Sequence, residues 1–129
     1  MGRSLGGSVA LETALTKKPL ALVLISPITS IKDMARETPL FYPLSFLVSN
    51  AYNCKEKIVR APCPVLVAHS PHDEIAPFAM GQKLYDLAPQ PKELFLLKGS
   101  HNDDYFEDKE FLKAIDGLVE KALQGKTEK

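Results

Sequence analysis

The sequence has no tryptophan, only two cysteines, no excess of either charge and no long apolar run. Each shortage excludes something. Cys54 and Cys63 are too few for a disulfide framework and have no third and fourth ligand at metal-type spacing, so they read as reduced, intracellular thiols. Sixteen Lys and Arg cancel sixteen Asp and Glu, which removes any sequence-independent attraction to nucleic acid or acidic lipid. No stretch reaches the roughly 18 apolar residues of a spanning helix, and the N-terminus has no basic-then-apolar leader pattern. The expectation is a soluble cytoplasmic protein with no integral membrane segment and no nucleic-acid partner. At 129 residues the chain is a single domain by length, able to bury roughly two-thirds of its unfolded surface.

What is present is an alternation. Three apolar runs, LALVLIS (20–26), PVLVAHS (64–70) and ELFLLKG (93–99), are of strand length and nearly continuous in hydrophobicity. That is the pattern of parallel strands covered on both faces. Between them lie helical patterns. Val9, Ala10, Leu11, Ala14 and Leu15 give residues 8–16 one apolar face. Pro77 is expected at the first position of a helix over 77–88, where its missing donor costs nothing. Phe111, Leu112, Ile115, Leu118, Val119, Ala122 and Leu123 recur at helical spacing, and the tail GKTEK (125–129) is expected to fray. The order implies an α/β fold, a three-layer sandwich with a short parallel sheet and right-handed crossovers.

Residues 27–63 are less regular. TSIKDMA (29–35) reads as a helical turn, TPLFYPLSFLVSNAY (38–52) mixes proline with large apolar residues, and CKEKIV (54–59) reads as a brief helix. Two readings stay open here, a cap or lid over a pocket and an irregular connection packed on the sheet.

The chemistry sits in three places. GRSLGG (2–7) fits Gly-x-Ser-x-Gly, the strand-to-helix turn that lifts a serine hydroxyl into an active site. Gly2 and Gly6 stand where a Cβ would collide as the chain reverses, and an apolar helix follows at once. Asp73, in HSPHDEIAP (69–77), leaves the second run at its carboxyl end, where an open parallel sheet gathers catalytic groups. The competing reading of Asp73 is a helix cap before Pro77. His101, in KGSHNDDYF (98–106), leaves the third run at the same edge, where an imidazole can take a serine proton while a carboxylate holds its tautomer. A loop histidine alone is ordinary. Ser, Asp and His in that chain order, each after a strand, point to a triad.

With GRSLGGSVALETA, SPITSIKDMA, CPVLVAHSPHDEIAPFAMGQKLYDLAP and KGSHNDDYF, nearly the whole chain resembles the carboxyl-terminal half of α/β-hydrolase superfamily proteins, near the protein-depalmitoylase-like and serine-aminopeptidase-like branch. The resemblance implies Ser4 as nucleophile, Asp73 as the acid orienting the base, His101 as general base and the Leu5 backbone N–H as an oxyanion donor. It implies no cofactor and no metal, and a small-molecule or acyl-protein substrate bearing an ester, thioester or amide. Two departures stand out: His69-Ser70 replaces the usual His-Gly, and no strand precedes the turn. Without that strand, residues 1–7 are expected to be disordered or to extend the first helix, leaving Ser4 unpresented. The first run (20–26) would then expose an apolar edge, and exposed edges recruit partners, so self-association is expected. Losing one oxyanion donor costs about 100- to 1,000-fold in turnover, so an isolated monomer is expected to have little activity.

Other constellations carry less. No Gly-Lys-Ser/Thr or Gly-x-Gly-x-x-Gly accompanies the glycines. His69, His72, Asp73 and His101 match no familiar metal spacing, and His69 reads as an internal strand residue. Asp103 and Asp104 read as a solvated loop. The reading is therefore a serine hydrolase of the α/β type. The alternative is a truncated, inactive hydrolase half acting as an association or structural module.

Overall fold

A computed structural model describes residues 1–39, 43 and 52–128. Its elements are β1 (Gly2–Arg3), α1 (Gly6–Lys17), β2 (Leu22–Ile25), α2 (Ile31–Glu37), α3 (Cys54–Ile58), β3 (Val65–His69), α4 (Phe78–Leu87), β4 (Lys92–Leu96), a 3₁₀ turn (Tyr105–Glu107) and α5 (Lys109–Thr127). The four strands form one parallel sheet in the order β1-β2-β3-β4.

The pleat divides the strand side chains between two cores. Leu22, Leu24, Val65 and Val67 face Leu11 and Ala14 of α1, Ile58 of α3 and Leu84 of α4. Val23, Ile25, Leu66 and Ala68 face Phe111 and Leu118 of α5. The sheet is thus the middle of three layers, as the alternation of helices and strands implies. β2 and β3 are buried along their whole length, which is why they read as continuous apolar runs.

The third apolar run, which forms β4, departs from expectation. It spans Lys92–Leu96 rather than 93–99, and its residues are half-buried with Leu96 55% exposed. β4 is the last strand of the sheet among the described residues, and Leu94 and Phe95 pack against the two cores while remaining only partly buried. Pro77 likewise precedes α4 instead of opening it, at φ −54° and ψ 133°. The tail does not fray at Gly125, because α5 continues to Thr127, although Leu112 and Leu123 on its apolar stripe face outward. TSIKDMA becomes α2, started by the Ser30 side chain, which accepts from the Asp33 N–H at 3.0 Å, and CKEKIV becomes α3. Most of the proline-rich stretch within 38–52, and with it the central part of the cap or lid reading of 27–63, lies outside the described residues.

The N-terminus corrects the expectation most. Residues 1–7 are neither disordered nor an extension of the first helix: Gly2 pairs with Leu24 and Arg3 with Ile25 in a parallel ladder, so a short strand does precede the turn. It covers the Leu24–Ile25 part of the β2 edge. Ser4 prolongs the ladder by donating its N–H to the Ile25 carbonyl at 2.8 Å, then turns into the left-handed region at φ 50°. A serine held there costs on the order of 1–3 kcal/mol, supplied by the surrounding structure. The first turn of α1 closes at once, with the Gly7 N–H donating to Ser4 O at 3.0 Å and the Ser8 N–H to Leu5 O at 3.1 Å.

The two flanking glycines are not equivalent. A Cβ on Gly2 would lie 2.2 Å from the Gly6 carbonyl oxygen and 2.7 Å from the Ala10 Cβ, whereas one on Gly6 would meet nothing within 4 Å. The expected collision at Gly6 is therefore absent. Gly2→Ala is expected to lower unfolding stability by about 1–3 kcal/mol through overpacking against backbone. Gly6→Ala, in the first turn of a helix, is expected to be neutral or stabilising by up to about 1 kcal/mol. Urea unfolding of the two variants checks this, and equal effects would contradict the elbow packing.

Candidate active site

All four strands run in one direction, so their carboxyl ends share one edge of the sheet. Ser4 follows β1, Asp73 follows β3 and His101 follows β4. Asp73 and His101 meet. The His101 Nδ1–H donates to Asp73 Oδ2 at 2.8 Å, with the Asp73 side chain fully buried and that of His101 5% exposed. Because Nδ1 is committed to the carboxylate, Nε2 on the opposite side of the ring is the nitrogen left to exchange a proton.

Asp73 does two jobs with two oxygens. Oδ1 accepts from the Ile75 N–H at 2.9 Å and the Ala76 N–H at 2.7 Å and so holds the turn; the competing reading as a helix cap does not hold, because α4 starts at Phe78 behind Pro77 with no side-chain cap. Oδ2 is left for His101. Burial opposes ionisation of this carboxyl, but the hydrogen bonds from His101, Ile75 and Ala76 outweigh it and hold its pKa below the ordinary carboxylate value. The residues around it fix the loops. Ser70 Oγ donates to the Gly99 carbonyl and accepts from the His72 N–H at 3.1 Å, so the serine standing where glycine was expected ties the two loops together. The His101 N–H donates to Glu74 Oε2 at 3.0 Å.

Ser4 is half-buried at the tip of its turn. Its hydroxyl makes no hydrogen bond among the described residues, so Ser4 and His101 are not in contact in this conformation. Such contacts often close only around substrate. The Leu5 N–H, at the entrance to α1, is also without a partner among the described residues, and a helix N-terminus favours negative charge.

Arg3 does not stand out in the sequence pattern, yet it joins the two halves of the site. Its Nη2 donates to the His101 carbonyl and to the Asp103 carbonyl, the latter at 2.9 Å. Its guanidinium lies 5.5 Å from the centre of the Tyr105 ring. The residue beside Ser4 thus grips the loop that carries His101. The Tyr105 hydroxyl in turn donates to the Ser100 carbonyl. Asp103 is also not simply solvated, since it accepts from the Ser100 N–H and hydroxyl, both at 2.9 Å.

No family model matches the sequence. Single relatives do. The chain is 35% identical to an uncharacterized protein of Mycobacterium tuberculosis over 127 residues, covering 96% of this chain and 45% of that protein. It is 34% identical over 113 residues to the lysophosphatidylserine lipase ABHD12 of Danio rerio, covering 72% of this chain and 29% of the relative. It is 31% identical over 105 residues to the alpha/beta hydrolase domain-containing protein aho-3 of Caenorhabditis elegans, covering 79% and 30%. The chain belongs to the α/β-hydrolase superfamily.

Solved structures agree on the fold. An acetyl xylan esterase from Paenibacillus sp. R4 superposes with a TM-score of 0.72 at 15% identity, over 92% of this chain and 44% of that one. A 2,6-dihydroxy-pseudo-oxynicotine hydrolase gives 0.70 at 23% identity, over 96% and 40%. The chain therefore spans less than half the length of these relatives. The resemblance read from the motifs holds for the superfamily and the α/β fold. Among the described residues no helix is long and apolar enough to cross a membrane.

The lowered pKa of Asp73 sets a pH window. A carboxyl depressed below its unfolded value of about 3.9 contributes its stabilisation fully above that pH and loses it as pH falls through the folded value. Asp73→Asn is therefore expected to flatten the fall of stability below about pH 4. Urea unfolding from pH 7 to pH 3 measures it, and an unchanged acid limb would contradict the assignment.

Proposed function

We propose that this chain carries the acyl-transfer site of a serine hydrolase, with Ser4 as nucleophile, His101 as general base, Asp73 as its orienting acid and the Leu5 N–H as an oxyanion donor. The observation that carries this reading is the buried Asp73–His101 hydrogen bond at the sheet edge where Ser4 is held at positive φ. In the first step Ser4 Oγ attacks the substrate carbonyl carbon while its proton passes to His101 Nε2. Negative charge forms on the carbonyl oxygen, facing the Leu5 N–H. The imidazolium is stabilised through Nδ1 by the ionised Asp73. His101 then gives the proton to the departing alkoxide, thiolate or amine, leaving acyl-Ser4. Water, deprotonated by His101 in the same way, releases the acid and restores the serine.

Among ester, thioester and amide, the ester is favoured. The Danio rerio relative is named a lipase, and the structural neighbours include an acetyl xylan esterase and a monoacylglycerol lipase from Paleococcus ferrophilus. An inactive association module has no use for a fully buried carboxylate aimed at an imidazole whose second nitrogen is left free.

A fluorophosphonate probe tests the proposal directly, because it phosphonylates only an activated serine. The expected result is labelling of the folded chain that disappears in Ser4→Ala and falls by at least about 100-fold in His101→Ala. Labelling that persists in Ser4→Ala, or none in a folded wild-type sample, would overturn it.

A further inference from the structure

The carboxylate of Asp73 has another histidine on it. His69, the last residue of β3, is fully buried, and its Nε2 lies 3.2 Å from Asp73 Oδ2, the same oxygen that His101 uses. That nitrogen also lies 2.9 Å from the Ala76 carbonyl oxygen. Both neighbours are acceptors, since a carbonyl oxygen carries no proton and Asp73 is held ionised. Nε2 must therefore carry the hydrogen, which makes its hydrogen bond to the Ala76 carbonyl and passes beside Asp73 Oδ2. The other ring nitrogen, Nδ1, is buried with no partner. It faces α4 at Gly81, where an added Cβ would fall 2.2 Å from it, and Phe78 closes the ring edge-on with centroids 5.7 Å apart. With nothing to receive a second proton's hydrogen bond there, the ring stays neutral. Burial likewise pushes its pKa below the ordinary histidine value.

We infer that His69 is a positioning residue for the acid of the triad, its polar Nε2–H, anchored on the Ala76 carbonyl, lying against Asp73 Oδ2 and thereby setting how strongly Asp73 holds the protonated form of His101. Its catalytic meaning rests on the serine hydrolase reading, but the contact does not. Two N–H groups beside one oxygen act on the same negative charge. The positive end of the His69 N–H dipole, 3.2 Å from Oδ2, offsets part of that charge and so weakens the pull on the His101 Nδ1–H. The other charged groups near His101 are Glu74, which accepts from its N–H, and Arg3, which donates to its carbonyl and to that of Asp103. The substitutions below leave them in place.

Histidine NMR titration of the whole chain tests this. In wild type, His69 is expected to show a protonated Nε2 and a bare Nδ1 across the neutral range. An Nδ1–H tautomer would overturn the inference, and this measurement needs no variant. His69→Met keeps the bulk and removes the donor, and the His101 pKa is then expected to rise by roughly 0.5 to 1 unit. His69→Gln restores an N–H donor near the Nε2 position and is expected to bring His101 back towards its wild-type titration. An unchanged His101 titration in folded His69→Met would reduce His69 to packing and contradict the proposal. Neither readout depends on Ser4. A shifted His101 in a chain that takes no fluorophosphonate would sink the hydrolase reading and leave the role of His69 standing.

Discussion

The site depends on a carboxylate buried at the end of a parallel strand. An ionised Asp73 with no access to water is tolerable only if every lone-pair direction meets a donor, and the surrounding chain is arranged to supply them. The turn after β3 folds back so that the Ile75 and Ala76 amides reach Oδ1. The loop after β4 brings His101 to Oδ2, and β3 itself ends in His69 at the same oxygen. Removing one such partner leaves a desolvated charge, which costs more than the hydrogen bond gained. The demand of one buried group thus fixes two loops and the end of a strand relative to each other.

The parallel sheet makes that convergence possible. Because β1 to β4 all run the same way, each loop at the carboxyl edge starts from a fixed height, and the buried apolar residues of β2 and β3 keep that edge rigid. The Ser4 end is the less securely held. β1 has two residues, paired only with Leu24 and Ile25, so its position rests also on Arg3 gripping the His101 loop and on Gly2 admitting the Gly6 carbonyl. A positive φ at Ser4 is the local strain that this arrangement sustains.

Much of the fold was legible because its signals are local and periodic. The continuous runs at β2 and β3, the helical spacing from Phe111 to Ala122 and the brief helical patterns at TSIKDMA and CKEKIV each state an element within a few residues. β4 was displaced because its residues are half-buried at the end of the sheet, so hydrophobicity no longer marked its limits. β1 was missed because two residues carry no pattern; its pairing is decided by β2, more than twenty positions away. Ser4, Asp73 and His101 could be named from motif and order. The roles of Arg3 and His69 could not. Arg3 acts on a carbonyl 98 residues distant, and His69 has the pattern of any buried strand residue until Asp73 is placed beside it.

The proposed mechanism requires the turn at residues 2–6 to deliver Ser4 to the Asp73–His101 pair. A crystal structure of the chain after reaction with a phosphonate inhibitor tests that requirement most directly. The account predicts phosphorus bonded to Ser4 Oγ, a phosphoryl oxygen within hydrogen-bond distance of the Leu5 N–H, and His101 Nε2 turned to the adduct with Nδ1 still on Asp73. An unmodified Ser4, or residues 2–6 absorbed into α1 with Ser4 at negative φ, would contradict it.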